Sequence, residues 1–516
     1  MSSGGDGRGV GSTRREALAR GAAVTGALTL GGALGRTGTA TAAGARRAPY
    51  ALGFRSLTDE VRLPHVPVDG KLPGWLGGTL LRNGPAKFEV GDQPFNHWFD
   101  GLAMLHAFRF TGGKVGYANR FLRSSAYEAW RTEGKIKYSE FATDPCRAVF
   151  SGVASVPIIA PISNANVSLE RLAGAFVAHT EIPIPVRFDP RTLRTLGVEP
   201  SVAGTGTLGT AHPHVDASTG ERFTYEVDLI PPATGYRVIV RGGKGGAAPR
   251  TLATIPRAEP GYMHSFALTQ RYLVILEQPF VVDPLSFLSP DRKPIVANYR
   301  WEGAEPLRLI VVDRHAGGVK ATVEIDPLFL FHNVNAFDRA GKIELDVCAY
   351  RDSTVIDALY LKNLRRADQR LPAVRLRRIT VDPGAGKATI RTLADVALEL
   401  PRIDYDTVSR RRYRYAYGVG TSRDAGFVDQ LHKVDVVRGR TLTWRERGAY
   451  PGEPIFVRRP HGSGREDDGA ILSVVLDAER GRSFLLVLDA QTFQERARAT
   501  VPHHIPFGFH GLHARD

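Results

Sequence analysis

Leu488-Asp489-Ala490-Gln491-Thr492-Phe493 (LDAQTF, 488–493) ends a strand-like apolar run with an aspartate and a turn. The same apolar–Asp step recurs at Val381-Asp382 and Val434-Asp435, so the three aspartates stand 53 and 54 residues apart. Phe188-Asp189-Pro190-Arg191-Thr192-Leu193 is a related turn far upstream. Between such turns lie short runs such as Arg271–Glu277 (RYLVILE), Leu307–Asp313 (LRLIVVD), Ile343–Ala349 (IELDVCA) and Ile471–Leu476 (ILSVVL). Helical periodicity is scarce after residue 43. Many short strands with regular Gly, Pro and Asp turns fit a sandwich, a barrel or a propeller. A period near 50 residues favours the propeller, because one four-stranded blade has about that length. The competing reading is a generic β protein whose aspartate turns recur by coincidence.

The chain has 516 residues, 43% of them hydrophobic, which is ample for a large core. Its first 42 residues read as an export signal and are set apart from the fold. Ser12-Thr13-Arg14-Arg15 carries a twin arginine, Gly21–Leu34 is an apolar run too short to span a membrane, and Ala40-Thr41-Ala42 offers a cleavage site. The twin-arginine route exports folded proteins, which suits a chain that loads a cofactor before leaving the cytoplasm and implies an extracytoplasmic location. Residues 43–60 read as a linker and 61–516 as a single β-propeller domain. Removing residues 1–42 takes away five Arg and two acidic residues, so the charge falls from +15 to 15 − 3 = +12. That charge is scattered, with no basic stripe interleaved with aromatics, which argues against nucleic-acid binding. Nothing in the chain points to an obligate protein partner. Cys146 and Cys348 are too few for a disulfide framework, and the sequence leaves open whether they pair.

Fifteen histidines are a generous supply. No HExxH motif occurs. Gly204–Gly209 matches GxGxxG, but no helix follows it, so it reads as a loop and not as a dinucleotide site. In Thr210-Ala211-His212-Pro213-His214, the two histidines point to one face if the segment is a strand. In a propeller, however, one residue per blade can meet at the axis, so ligands would be spaced at blade multiples. His212, His264 and His332 are 52 and 68 residues apart, and His510 follows after 178. Any one of these alone reads as a satisfied core or turn histidine. The four together at blade spacing are harder to dismiss.

Nine blocks in order then resemble the carotenoid cleavage oxygenase family: Arg82-Asn83-Gly84-Pro85, HWFDG (97–101) with Met104-Leu105-His106, TAHPH (210–214), HSFALT (264–269), FHNVNAF (331–337), ELPRIDY (399–405), EPIFV (453–457), EDDG (466–469) and FHGL (509–512). The resemblance implies an all-β, seven-bladed propeller with a helical and loop cap over the metal-bearing face. It implies a catalytic centre of one non-haem Fe(II) per chain, held by His212, His264, His332 and His510, with O2 as co-substrate. It also implies Glu181, Glu399 and Glu453 behind three of those ligands. Such carboxylates would accept hydrogen bonds from the far ring N–H groups and set each tautomer. On this reading His214 is a neighbour of the site and not a ligand.

The activity implied is oxidative cleavage of a C=C bond of a carotenoid or apocarotenoid to aldehyde or ketone products. HWFDGLAMLHAF (97–108) and SEFATDPCRAVFSG (139–152) are most similar to the animal-type β-carotene oxygenase and retinoid branch. Two alternatives stand beside it. One is cleavage of phenolic stilbenes, for which Lys135 and Lys137 with Tyr117, Tyr127 or Tyr138 are candidate holders of a phenol. The other is a polyene-binding propeller or retinoid isomerase that does not cleave. The substrate expected is a hydrophobic polyene, and the apolar run Ala148–Ile162 matches the family's membrane-contact patch.

Overall fold

The computed structural model describes residues 48–144, 163–172, 174–243, 248–288 and 293–515. The twin-arginine segment, Cys146 and the apolar run 148–162 lie outside these residues.

Seven antiparallel sheets of four to six strands follow one another along the chain. They form a seven-bladed β-propeller, as the sequence implied. Blade one carries Gly78–Lys87, Leu102–Thr111 and Lys114–Phe121, and blade two runs from Ser168–Leu172 to Thr195–Val198. Blade three opens with Leu208–Gly209 and His214–Val215, blade four with Ala267–Leu268, and blade five with Phe329–Arg339. Blade six opens with Glu399–Arg402, and blade seven with Ala449–Pro451 and Ile455–Arg458. The ring closes by exchange of its ends. The C-terminal strand Gly511–Ala514 pairs with Gly78–Lys87 of blade one, while Val68–Gly70 pairs with Glu495–Thr500 of blade seven. Both termini of the propeller are thereby locked into sheets.

The repeating aspartates have a common structural cause. Asp382, Asp435 and Asp489 each end the third strand of a blade, and Asp313 ends the third strand of blade four. Asp189 follows the third strand of blade two directly. In each case the carboxylate turns back to accept backbone N–H groups of the coming turn: Gln491 and Thr492 at Asp489, Val437 and Arg438 at Asp435, His315 and Ala316 at Asp313, Arg191 and Thr192 at Asp189. A short acceptor that satisfies two turn donors is what this geometry selects.

The expected linker over 43–60 is packed from residue 48 onward. Pro49–Phe54 forms a 3-10 turn that buries Tyr50 and Phe54, the latter against Trp98, Phe427 and Phe507. The cap consists of the helix Ser125–Glu133, the short helices Thr354–Ala358 and Leu361–Leu364, and connecting loops. Its apolar residues Tyr127, Val355, Ile356 and Leu361 join one core with Phe329, Phe331 and Phe509 from the propeller. Phe331 and Phe509 immediately precede His332 and His510, so the cap lies over the face that bears the histidines. No helix among the described residues is long and apolar enough to cross a membrane.

Candidate metal centre

His212 lies between the two short inner strands of blade three, and His264 lies three residues before the inner strand of blade four. His332 sits within the inner strand of blade five, where the register shifts on both sides of Asn333. His510 directly precedes the closing strand of blade one. A bulge of this kind re-aims a side chain that regular pairing would place elsewhere. Neighbouring blades are tied at this level by side chains. Thr210 donates to the carbonyl of His264 at 2.8 Å and accepts from the amide of His212 at 2.9 Å. Ser265 donates to the carbonyl of Phe331 at 2.8 Å and accepts from the amide of Asn333 at 2.9 Å.

One ring nitrogen from each of the four histidines converges, all within 4.8 Å of one another. Three of the rings are held from behind. The Nδ1 atoms of His264, His332 and His510 donate to Glu181 at 2.7 Å, Glu399 at 2.6 Å and Glu453 at 2.7 Å. A proton held on Nδ1 leaves a lone pair on Nε2. The Nε2 atoms of His332 and His510 therefore face each other as acceptors at 3.2 Å, and those of His212 and His264 lie 2.8 Å apart. Lone pairs brought that close repel unless a cation lies among them, so the donor set fits a metal ion. Burial holds His264 below the usual imidazole range and His510 at about 4, against the pull of their glutamates. His212 is lowered further, by burial first and then by the three facing rings. Neutral imidazoles are the form that binds a metal.

The glutamates differ among themselves. Glu453 is fully buried, and its Oε2 accepts from the amide of Gly511 at 2.9 Å and from Arg82, while Arg402 stands 3.5 Å from Oε1. Burial raises its pKa, but Arg402, His510 and Arg82 together hold it at about 2. Gly511 must be glycine here: a Cβ would lie 2.3 Å from the carbonyl oxygen of Leu81. Glu399 also accepts from the amide of Leu400 at 2.8 Å, which Leu400 permits by adopting φ 47°. Glu181 also accepts from the hydroxyl of Tyr262 at 2.8 Å. Sequence reasoning missed Tyr262, Arg82 and Arg402 in these roles, although each lies in or beside a quoted block.

His214 stands outside the cluster. Its Nε2 contacts the carbonyl of Phe266 at 3.1 Å and its ring packs edge-on against that phenyl, while burial lowers its pKa to about 4. Two cavities meet at the four rings. An apolar one is lined by Phe99, Phe141, Tyr262, Phe331 and Phe509, and a polar one by Asp216, Arg402, Arg410 and Arg411. His332 and His510 border both, His264 only the apolar cavity and His212 only the polar one. The candidate phenol-holding residues are elsewhere. Lys135 and Lys137 pair with Glu133 at the surface, Tyr117 contacts His106 in the core, and none of these, nor Tyr127 or Tyr138, lines the apolar cavity.

The model of the retinal pigment epithelial membrane protein family matches residues 54–515. The chain belongs to this family. Among curated members it is 34% identical to the carotenoid isomerooxygenase of Galleria mellonella over 489 residues, 89% of this chain and 95% of the relative. It is 32% identical to human beta,beta-carotene 15,15'-dioxygenase over 520 residues, 90% and 94% of the two chains. Among solved structures, cobalt-substituted Synechocystis ACO superposes with a TM-score of 0.81 at 28% identity, covering 91% of this chain and 98% of that one. All these family relatives match across the whole propeller, so the carotenoid oxygenase resemblance seen in nine blocks holds along the chain.

Proposed function

We propose that this protein is a non-haem Fe(II) dioxygenase that cleaves a C=C bond of a carotenoid or apocarotenoid to carbonyl products. The carrying observation is the convergence of four imidazole nitrogens, three of them oriented by glutamates, at the end of an aromatic cavity. His212, His264, His332 and His510 would hold the metal, with Glu181, Glu399 and Glu453 orienting three of them. Imidazole donors suit Fe(II), and geometry and availability decide among the other divalent ions they also bind. Iron bound there supplies activation of O2 toward an electron-rich double bond. The charge balance supports a divalent ion. Glu453 is already paired with Arg82 and Arg402, whereas Glu181 and Glu399 have no Lys or Arg partner among the described residues. Two unpaired carboxylates thus match a +2 ion on four neutral rings.

The remaining work falls to the cavity. Phe141 packs against Phe99 at 5.2 Å, and Phe99 against Phe331 at 5.9 Å and Phe509 at 5.3 Å. This row of rings leads to the histidines and offers a long apolar chain a dry bed beside them. The names of the relatives, carotenoid isomerooxygenase and beta,beta-carotene 15,15'-dioxygenase, support a polyene substrate. The absence of any lysine from the cavity lining among the described residues favours it over a phenolic stilbene. Residues 1–42 would direct export through the twin-arginine route, and residues 148–162 would touch the membrane from which the polyene is drawn. Charging that run should impair turnover of membrane-embedded substrate while sparing detergent-dissolved substrate.

The test is aerobic incubation of Fe(II)-loaded protein with β-carotene, apocarotenals and resveratrol, with mass spectrometry of the aldehydes formed. Aldehydes from polyenes, lost in His332→Ala, are expected. No aldehyde from any polyene, or undiminished turnover in His332→Ala, overturns the proposal.

A further inference from the structure

Among the described residues, the apolar cavity contains one acidic side chain that neither the metal centre nor an ion pair explains. Glu140 lines it, beside Phe141 and Asn164. No Lys or Arg approaches its carboxyl group among the described residues; its interactions are an amide contact from Asn164 and repulsion from Asp100. Asp100 has taken the donors of this corner of the cap. It accepts from the amide of Ala142 at 3.0 Å, the hydroxyl of Thr143 at 2.6 Å and the amide of His97 at 3.0 Å. The amide of Glu140 itself is spent on the carbonyl of Thr143 at 2.8 Å. The carboxyl group is therefore left in an apolar wall with a negative neighbour behind it.

We propose that Glu140 is where the cavity recognises oxygen on its substrate: its carboxyl group hydrogen-bonds a hydroxyl or carbonyl oxygen carried by an otherwise apolar polyene. This rests on the polyene reading above and refines it. Burial first, and then Asp100, push Glu140 well above the usual carboxylate range, which favours its neutral, protonated form. In that form it has an O–H to donate and a carbonyl oxygen to accept, and serves an aldehyde or an alcohol alike. A polar group in an apolar wall is costly to leave unpaired, so a ligand oxygen that completes its bonding is favoured over a methylene in the same place. The position also orders the ligand. Phe141, the next residue, begins the row of rings through Phe99 to Phe331 and Phe509. A chain anchored by its oxygen at Glu140 and lying along that row passes the histidine nitrogens in one register, so the anchor selects which double bond is presented.

The test compares an apocarotenal with the hydrocarbon polyene of equal chain length, in wild type, Glu140→Gln and Glu140→Leu. Binding is followed by the polyene absorbance shift and needs no turnover; KM and kcat are measured in parallel on Fe(II)-loaded protein. Wild type should bind the aldehyde more tightly than the hydrocarbon. E140L should weaken the aldehyde roughly tenfold more than the hydrocarbon, the worth of about one hydrogen bond. E140Q keeps an uncharged donor and acceptor and should stay within about threefold of wild type on both. A merely structural Glu140 would weaken both ligands alike, and that result overturns the proposal. If E140L does not fold, the wild-type preference and the E140Q measurement decide, and equal wild-type affinity for the two polyenes overturns it. Selective binding without cleavage would instead fault the dioxygenase reading and leave the anchor standing.

Discussion

Glu399→Gln and Glu453→Gln look like the same mutation behind two equivalent histidines, yet the structure separates their consequences. Each replaces an anionic acceptor of an imidazole N–H by a neutral one, at 2.6 Å from His332 and 2.7 Å from His510. Loss of such a partner typically costs 10- to 100-fold in metal affinity, so both variants should bind Co(II) or Fe(II) about that much more weakly. Stability is another matter. The Arg82 side chain is 7% exposed and the Glu453 side chain 0%, so E453Q leaves a buried guanidinium without its counter-charge. Breaking one side of a buried pair costs about 3–5 kcal/mol. Glu399 has no arginine partner among the described residues, and its side chain is 13% exposed, so E399Q removes no counter-charge from a buried cation. Calorimetry of the metal-free proteins should show a large drop in melting temperature for E453Q and a small one for E399Q. Metal titration should show comparable losses for both. Equal destabilisation of the two apoproteins would refute the assignment of Arg82 and Arg402 to Glu453, and undiminished metal affinity in E399Q would refute the orienting role.

Three further outcomes are expected. His212→Ala should abolish stoichiometric Co(II) binding while His214→Ala retains it, as read by the cobalt absorption spectrum, because only His212 reaches the cluster. Gly511→Ala should prevent accumulation of folded protein or abolish metal binding, since its Cβ meets a backbone oxygen at 2.3 Å and its amide serves Glu453. Glu170 lies buried between His179 and Arg222, 2.9 Å and 2.8 Å away, and although burial raises its pKa, Arg222 and His179 hold it at about 2. Its folded pKa is depressed, so its stabilisation is complete above the unfolded value near 4.5 and is lost as pH falls through about 2. Acid titration of Glu170→Gln against wild type should show a stability gap of about 3 kcal/mol near neutrality that closes over that window.

What was legible in the sequence was what a local rule imposes in five of the seven blades. In blades five, six and seven an aspartate ends the third strand and accepts amides of the turn, so Asp382, Asp435 and Asp489 announced the period. What was not legible depends on residues far apart in the chain. Arg82 reaches Glu453 across 371 positions, and nothing at either end marks the pairing. Residues 43–60 read as a linker, yet within them Phe54 packs among three rings supplied by distant segments. The block EDDG carries fold and not chemistry, and in HWFDG only Trp98 and Phe99 reach the apolar cavity. His97 contacts the carbonyl of Ile356 at 3.0 Å, Trp98 donates to that of Phe507 at 2.8 Å, and Asp467 pairs with the buried Lys433 at 2.7 Å. Motif density alone would have placed the site in the wrong residues.

The uneven spacing of the histidines has its own explanation in the ring. Blades one, three, four and five supply His510, His212, His264 and His332, and blades two, seven and six supply Glu181, Glu453 and Glu399. Each blade therefore sends one side chain to the axis, either a nitrogen or the carboxylate that orients one. The 178-residue gap from His332 to His510 is where blades six and seven contribute acids in place of imidazoles. Three carboxylates serve four rings, so one histidine must do without, and it is His212, the ring that borders the polar cavity and not the aromatic one. Among the described residues its backbone is held by Thr210, which bonds His212 and the carbonyl of His264, and by the hydroxyl of Ser168 on the carbonyl of Ala211. Thr210→Val should accordingly loosen His212 selectively, lowering metal affinity while leaving the Glu181–His264, Glu399–His332 and Glu453–His510 pairs in place. An unchanged cobalt affinity in that variant would refute the part assigned to Thr210 in holding the ring.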